Sequence, residues 1–262
     1  MRDLQLLPGK KFFFASDFHF GIPNKQESLN REKRICAWLE KIQPETQALF
    51  LLGDVFDAWI EYKRVVPAGF VRFLGKLAAF QDAGIPIFVF TGNHDLWMRG
   101  YLQEEVGAEI HKQTLEIRLA GKHFVLAHGD GLHASEGGYL WMKKLFHHPF
   151  SQWLYRKLHP DWGVGIADFF SRRGEKHRME EAPVIQDESK ESQWLFAQER
   201  LQQGDVDYFV FGHRHIPQHK KLTPHTDFVN LGDWLRFDTY GEFDGKEFRL
   251  VHFPSGEPHI QP

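Results

Sequence analysis

Leu49-Phe50-Leu51-Leu52-Gly53-Asp54-Val55-Phe56-Asp57 is an apolar run that stops at a glycine and an aspartate, with a second aspartate three residues on. An unbroken apolar run of this length reads as a strand buried on both faces. Gly53 lets the chain turn where the sheet ends. Asp54 then stands at the carboxyl edge of the sheet, where open α/β sheets place their chemistry. One strand ending in Gly-Asp says little. The weight lies in the recurrence of the pattern elsewhere in the chain, each time with metal-binding residue types.

Working outward, Lys11 to Ser16 is a short aromatic strand that ends in Asp17-Phe18-His19. Ile85 to Thr91 ends in Gly92-Asn93-His94-Asp95. Thr114 to Leu119 and Lys122 to Ala127 form a hairpin around Ala120-Gly121, and the second strand ends in His128-Gly129-Asp130. Val206 to Phe211 ends in Gly212-His213-Arg214-His215. Helices separate the early strands. Gln26 to Ile42 carries Ile35, Trp38, Leu39 and Ile42 at helical spacing, and Pro44 stops it. Pro67 to Ala83 begins with a proline suited to a first turn, presents Phe70, Phe73, Leu74 and Leu77, and ends at Gly84. The tail from Phe228 to Phe253 reads as short strands, with a hairpin turn at Asp244-Gly245. Helices alternating with strands, then mostly strands, predict an α/β fold with large sheets and one domain over 1–262. The stretch at about 135–201 breaks the pattern. It is helical, aromatic and charged, and reads as an inserted cap.

Composition bounds the function. The charged fraction is 26% and the hydrophobic fraction 42%, which fits an ordinary globular chain and excludes disorder. A net charge of −3 argues against a broad nucleic-acid-binding face. The single cysteine, Cys36, excludes an intramolecular disulfide, fits a reducing compartment and reads as a helix-packing residue. Met1 to Lys10 lacks the apolar core of a signal peptide, and no apolar stretch has bilayer-spanning length.

Together the strand ends deliver Asp17 and His19, Asp54 and Asp57, Asn93, His94 and Asp95, His128, and His213 and His215. A lone histidine at a strand end is usually structural; this joint occurrence is not explained that way. Hard oxygen donors mixed with imidazoles suit Mn, Fe, Zn or Co. The donors suffice for two ions, and the central Asp54 is the natural bridging carboxylate. His111, His123, His133, His147, His148, His159, His177, His219, His225, His252 and His259 fit no ligand position and read as surface or packing residues.

Asp-x-His, Gly-Asp-x-x-Asp, Gly-Asn-His-Asp, a His before Gly, and Gly-His-x-His, in this order between Asp17 and His215, resemble the calcineurin-like metallophosphoesterases. The resemblance implies a four-layer α-β-β-α sandwich of two mixed sheets. It implies that Asp17, His19 and His215 hold one divalent ion, that Asn93, His128 and His213 hold a second, and that Asp54 bridges them. Water activated between the ions would be the nucleophile of an in-line attack on phosphorus. His94 would lie beside the centre and serve the scissile phosphate as a catalytic residue. An aspartate would orient it: Asp57, with Asp95 as the other candidate. Arg214 reads as a phosphate or structural contact and Asp130 as a loop hydrogen-bonding residue.

Gly53 to Trp59, His128 to Gly131 followed by Gly138-Tyr139, and Gly212 to Pro217 further resemble the UDP-2,3-diacylglucosamine diphosphatase branch. That branch cuts a pyrophosphate to give UMP and 2,3-diacylglucosamine 1-phosphate in lipid A synthesis, typically with manganese, on the cytoplasmic face of the inner membrane. At position 94 this chain departs from the branch, carrying histidine in place of arginine. The resemblance makes Asn93, His94, Tyr139, Arg172, Arg173 and Arg214 the expected substrate contacts. Tyr139, Trp141, Phe146, Phe150, Trp153, Tyr155, Trp162, Phe169 and Phe170 would line an acyl groove and rest on a membrane surface, or form the core of the cap itself. Arg172, Arg173, Lys176 and Arg178 would grip phosphates or headgroups, or stand as a solvated loop. The alternatives are a phosphodiesterase or phosphatase for another nucleotide and, more remotely, a non-enzymatic scaffold. A monomer and a homodimer are both compatible with the sequence.

Overall fold

The computed structural model describes residues 1–167, 169, 191–257 and 259. The expected strand runs form two mixed sheets of six strands each among these residues. In one sheet, β2 (Lys11–Ala15), β3 (Thr46–Leu52), β4 (Ile87–Phe90) and β5 (Glu109–His111) run parallel. The antiparallel pair β11 (Thr239–Phe243) and β12 (Phe248–His252) extends it from β2. The other sheet runs in the order β1 (Arg2–Leu4), β6 (Leu115–Leu119), β7 (Lys122–Leu126), β8 (Tyr208–Phe211), β10 (Thr226–Leu231), β9 (Pro217–Thr223).

Strand alternation explains the aromatic content. Phe12, Phe14, Phe50, Phe88 and Phe90 point between the sheets, where they meet Phe124, Tyr208, Val210 and Val229. The rings of Phe88, Phe50 and Phe14 stack at centroid distances of 4.6 and 5.0 Å, and the row continues through Phe124 to Tyr208. The alternate residues Phe13, Leu49, Leu51 and Val89 face α1 (Lys25–Ile42) and α2 (Val71–Asp82) on the outer side. On the outer face of the second sheet, Val125, Phe209 and Phe211 pack against Ala197 of α6 (Ser192–Leu201). Helix, sheet, sheet, helix is the predicted sandwich.

Between the sheets' edges and α6 come α3 (Tyr101–Glu105), and then α4 (Gly137–His147) and α5 (Pro149–Tyr155), with 160–167 also helical. α1 starts where Asn24 accepts hydrogen bonds from the backbone N–H groups of Gln26 and Glu27. Cys36 is buried on this helix.

The second helix starts later than predicted. Gly69 and Phe70 take positive φ, +121° and +57°, so the chain turns there and the helix begins at Val71. Phe70 still packs inward, on Phe20 and Phe56. The short elements β1, α3 and β5, and the polar edge strand β9, lack an apolar run and escaped the sequence reading. Buried Glu32, from α1, accepts hydrogen bonds from Arg72 N and Phe73 N at 2.9 and 3.2 Å and so caps α2. Replacing it leaves those donors without a partner. Glu32→Ala should lower stability by about 1–2 kcal/mol in chemical denaturation; an unchanged midpoint would show that the cap contributes nothing.

Candidate metal centre

All four loops that follow β2, β3, β4 and β7, and the one that follows β8, converge at one edge of the sandwich. Backbone hydrogen bonds continue past the strands: Asp17 N to Gly53 O at 3.0 Å, His19 N to Asp54 O at 2.9 Å, and Gly212 N to His128 O at 2.8 Å. The backbone at the expected ligands is strained. Asp17, His19, Asp54, His213 and His215 all have φ between 45° and 70°. Non-glycine residues avoid this left-handed region at a cost of roughly 1–3 kcal/mol each, and such residues cluster at functional sites. Two glycines matter by what they lack. A Cβ on Gly92 would overlap the Asp54 carboxylate, and one on Gly212 would lie 2.5 Å from Asp17 Oδ2.

The predicted ligands come together. Asp17, His19 and His215 place one donor atom each within 4.8 Å of one another; so do Asp54, His128 and His213. His215 Nε2 lies 3.4 Å from Asp17 Oδ1 and 3.3 Å from His19 Nε2. Asp54 Oδ2 lies 3.6 Å from His19 Nε2 and 3.3 Å from His128 Nε2, so it faces both groups. Asn93 Oδ1 is 3.4 Å from His128 Nε2. Asp17, His19 and Asp54 are fully buried.

Burial favours the neutral acid at Asp17, but the histidines His215 and His19 outweigh it and hold the carboxyl down at about 2. Burial works the same way at Asp54, and His128 and His94 overcome it. At His128 burial opposes protonation, yet Asp54 pushes the ring up to about 10. His213 moves the other way, down to about 3, through burial and then the charge on His128. The centre therefore gathers anionic carboxylates that draw positive charge toward them. Two atoms report what would supply it. Asp54 Oδ2 and His213 Nδ1 are buried with no hydrogen-bond partner among the described residues. Buried polar atoms are rarely left unsatisfied. Aspartate, asparagine and imidazole donors, aimed inward, fit divalent ions of the Mn, Fe or Zn kind.

His94 sits beside this cluster. Its backbone N–H donates to Asp54 Oδ1 at 2.9 Å, and its Nδ1 lies 3.3 Å from Asp57 Oδ1. Burial lowers its basicity, but Asp54 and Asp57 more than reverse that, so its pKa is raised. Asp95 faces elsewhere. Its carboxylate accepts Gly92 N at 2.7 Å, Val55 N at 2.8 Å and Phe56 N at 3.3 Å, pinning the loop after β3 to the loop after β4.

Tyr139 donates its hydroxyl to Asp130 at 2.5 Å, and Lys143 Nζ pairs with the same carboxylate at 2.6 Å. Arg214 forms a two-pronged ion pair with Glu191. Arg172, Arg173, Lys176, Arg178 and Phe170 lie outside the described residues. Several of the remaining histidines have structural partners: His123 with Glu116, His133 with Glu199, and His219 with Asp227.

Two residues of the site escaped the sequence reading. Asp233, fully buried, accepts from His215 Nδ1 at 3.1 Å. Its signal was present: Leu231-Gly232-Asp233 repeats the strand-Gly-Asp pattern of Leu52-Gly53-Asp54. Arg31 donates to the backbone oxygens of His19 and Ile22, at 2.5 and 2.7 Å. Nothing local in a helix marks such an arginine as inward-facing.

A cavity of about 350 Å³ opens from Asn93 and His94, with Trp59, Trp97, Phe146 and Ile166 along its walls. It runs from the centre to the helices of 137–167.

Comparison with known proteins agrees with this geometry. The model of the calcineurin-like phosphoesterases matches residues 10–217. A UDP-2,3-diacylglucosamine hydrolase of Porphyromonas gingivalis is 40% identical over 247 residues, covering 90% of this chain and 94% of the relative. The protein of the same name from Pasteurella multocida is 24% identical, covering 95% of this chain and 99% of its own. Among solved structures, a dimetal phosphatase from Danio rerio superposes with a TM-score of 0.50 at 13% identity, over 93% of this chain and 96% of that one. Two mixed sheets, a convergent Asp/His cluster at their edge and these matches lead to one assignment: the chain belongs to the calcineurin-like phosphoesterase family and is a metal-dependent hydrolase.

Proposed function

We propose that this chain hydrolyses the pyrophosphate of UDP-2,3-diacylglucosamine, giving UMP and 2,3-diacylglucosamine 1-phosphate. The observation that carries the reading is the junction of a two-ion donor set with an apolar cavity, joined at Asn93 and His94. A phosphoester on a soluble nucleotide needs the first and not the second. The similarity to the Porphyromonas gingivalis hydrolase across nearly the whole chain supports the same substrate.

Asp17, His19 and His215 would hold one divalent ion, Asn93, His128 and His213 the other, and Asp54 both. Such ions, with manganese the expected metal, would lower the pKa of a bound water and offset charge on the phosphoryl oxygens. The protein's own part is positioning. Asp57 commits His94 Nδ1, so Nε2 is the nitrogen that serves the substrate. Asp54 and Asp57 raise the pKa of His94 against the effect of burial, which favours a role as proton donor to the bridging oxygen as the P–O bond breaks. Asp95 holds the two loops that carry Asp54 and His94 in register.

Of the stretch expected as a cap at about 135–201, the helices within 137–167 would act as a cap on the one catalytic domain, while α6 at its end belongs to the sandwich itself. Phe146 and Ile166 offer the acyl chains a wall, while Trp141, Phe150, Trp153 and Trp162 are at least half exposed, at 70%, 61%, 50% and 69%. Exposed aromatic side chains in this number suit the surface of a membrane, from which the lipid substrate would be drawn. Among the described residues no helix is long and apolar enough to cross one. Attachment would be peripheral, on the cytoplasmic face where the nucleotide sugar is made.

Turnover of UDP-2,3-diacylglucosamine should exceed that of the deacylated UDP-sugar and of bis(p-nitrophenyl) phosphate by at least about tenfold in kcat/KM, and chelator should abolish it. Equal rates on acylated and deacylated substrates would rule out the groove and favour the soluble-nucleotide alternative. His94→Ala should lower kcat about 10²- to 10⁴-fold at unchanged metal content; a normal kcat would remove His94 from the mechanism. Replacing Trp141 and Trp162 together by serine should reduce co-sedimentation with anionic vesicles, and undiminished sedimentation would place membrane contact elsewhere.

A further inference from the structure

The face that α6 turns to the second sheet is apolar where Ala197 meets Val125, Phe209 and Phe211. Gln193, in the first turn of the helix, is the exception. Its side chain is buried, at 3% exposure, and so is that of Asn230 near the end of β10, at 1%. The two amides bond to each other, Asn230 Nδ2 donating to Gln193 Oε1 at 3.1 Å. Both then donate to one atom. Gln193 Nε2 reaches Gly212 O at 2.9 Å, and Asn230 Nδ2 reaches it at 2.7 Å. Gln193 Nε2 also donates to Gly129 O at 3.4 Å, in the loop of His128, and a Cβ on Gly129 would collide with that amide. Asn230 Oδ1 accepts the N–H of Gly232, one residue before Asp233, at 3.2 Å.

The Gly212 carbonyl is one end of a peptide group whose other end is the N–H of His213. That N–H donates to Asp17 Oδ2 at 3.0 Å. Turned over, the same peptide would set its carbonyl dipole against a buried carboxylate. The His213 ring offers little resistance to such a turn, because its Nδ1 is buried with no hydrogen-bond partner among the described residues. His213 also sits at φ +70°, which a non-glycine residue holds only under constraint. The amides supply that constraint. Buried amides are costly unless their atoms are paired, and here the oxygen and the NH₂ of both side chains have partners. Glu191, two residues before Gln193, closes its ion pair on Arg214. The first turn of α6 and the residue before it thus grip the loop on both sides of His213.

We propose that Gln193 and Asn230 are positioning residues for the hydrolysis. They hold the peptide between Gly212 and His213 in the orientation that gives its N–H to Asp17 and its imidazole to the centre. The proposal rests on the reading of Asp17, His128 and His213 as parts of the catalytic centre and adds what orients them from behind.

Gln193→Met keeps the length and bulk of the side chain and removes both donors. Gln193→Asn is the milder variant and draws the amide one methylene back from Gly212 O. Glu32→Ala, which loses the cap of α2, is the control for lost stability alone. Each protein is melted, its kcat and KM for UDP-2,3-diacylglucosamine are measured with excess Mn²⁺, and the His213 backbone amide is followed by proton–nitrogen NMR in metal-free protein. In the wild type that amide should resonate downfield and exchange slowly, as a bond to a buried carboxylate requires. Gln193→Met should lower kcat about 10- to 100-fold with KM within about twofold, and should move the His213 amide upfield with faster exchange. Gln193→Asn should do the same to a smaller degree. Asn230→Leu should match Gln193→Met, and the double variant should cost little more than either alone, because both amides act on one carbonyl. Glu32→Ala should melt lower and keep its kcat. A Gln193 variant that melts lower but keeps wild-type kcat and the wild-type His213 amide signal, as Glu32→Ala does, overturns the proposal and leaves the amide pair as packing. If the wild type itself turns over no phosphoester with Mn²⁺, the reading of the centre fails, and the His213 amide signal alone still decides whether the pair orients the peptide.

Discussion

Two aspartates, Asp17 and Asp54, are fully buried on either side of His19 Nε2, at 3.7 and 3.6 Å, and among the described residues histidines are the main groups that offset their charge. The rest of the molecule is arranged around that constraint. Burying carboxylates is costly unless positive charge and hydrogen bonds meet them. The protein meets them with backbone N–H groups, such as His213 N on Asp17 and His94 N on Asp54, and with a ring of histidines. The same carboxylates and rings, once cations lie among them, stop competing for protons and become ligands. A centre that is electrostatically unbalanced by itself is a centre selected for metal.

Such a centre needs stiff support. Five residues of the cluster, Asp17, His19, Asp54, His213 and His215, sit in left-handed backbone, and each costs energy that its surroundings must offset. The support is the aromatic row between the sheets, which anchors the strands up to their last residue. Phe14 and Phe50 are fully buried and stacked just before the loops that carry Asp17 and Asp54. Each such ring contributes of order 1.5–3 kcal/mol by burial. The high phenylalanine content and the strained metal loops are therefore two sides of one design: packing stabilises what chemistry strains.

How much of this could be read from the sequence follows from range. Strand β3 and its Gly-Asp end were legible because a run of buried residues and a glycine turn are local. So were the equivalent ends after β2, β4, β7 and β8, and with them the aspartates and histidines that the structure gathers at one edge. Residues that act on a ligand from another element were not. Arg31 reaches back from α1 to the His19 carbonyl, and Glu32 reaches across to α2; each is a polar residue in an amphipathic helix, indistinguishable in sequence from a solvated one. Asp233 was legible in principle, since its strand ends in Gly-Asp like the others, but the tail was read only as short strands. The start of α2 was misplaced because Pro67 satisfied a local rule while Gly69 and Phe70 followed a tertiary one.

The cap is tied to the centre by polar contacts, and this bears on how substrate entry and chemistry are linked. Tyr139 and Lys143 of α4 both hold Asp130, which lies two residues after His128 of the cluster. Trp97, three residues after His94, donates its indole N–H to Phe146 O in the last turns of α4 and packs edge-on against Tyr155 of α5. Each catalytic loop thus has one anchor in the helices that bear the exposed aromatic face. Burial favours the neutral acid at Asp130, but His128 and Lys143 outweigh it and hold the carboxyl below the usual range. A shift of α4 would have to break the partly buried Lys143–Asp130 ion pair beside His128 or drag the loop with it. The geometry favours a cap that stays docked while acyl chains slide along it, over a lid that swings free of the metals at every turnover.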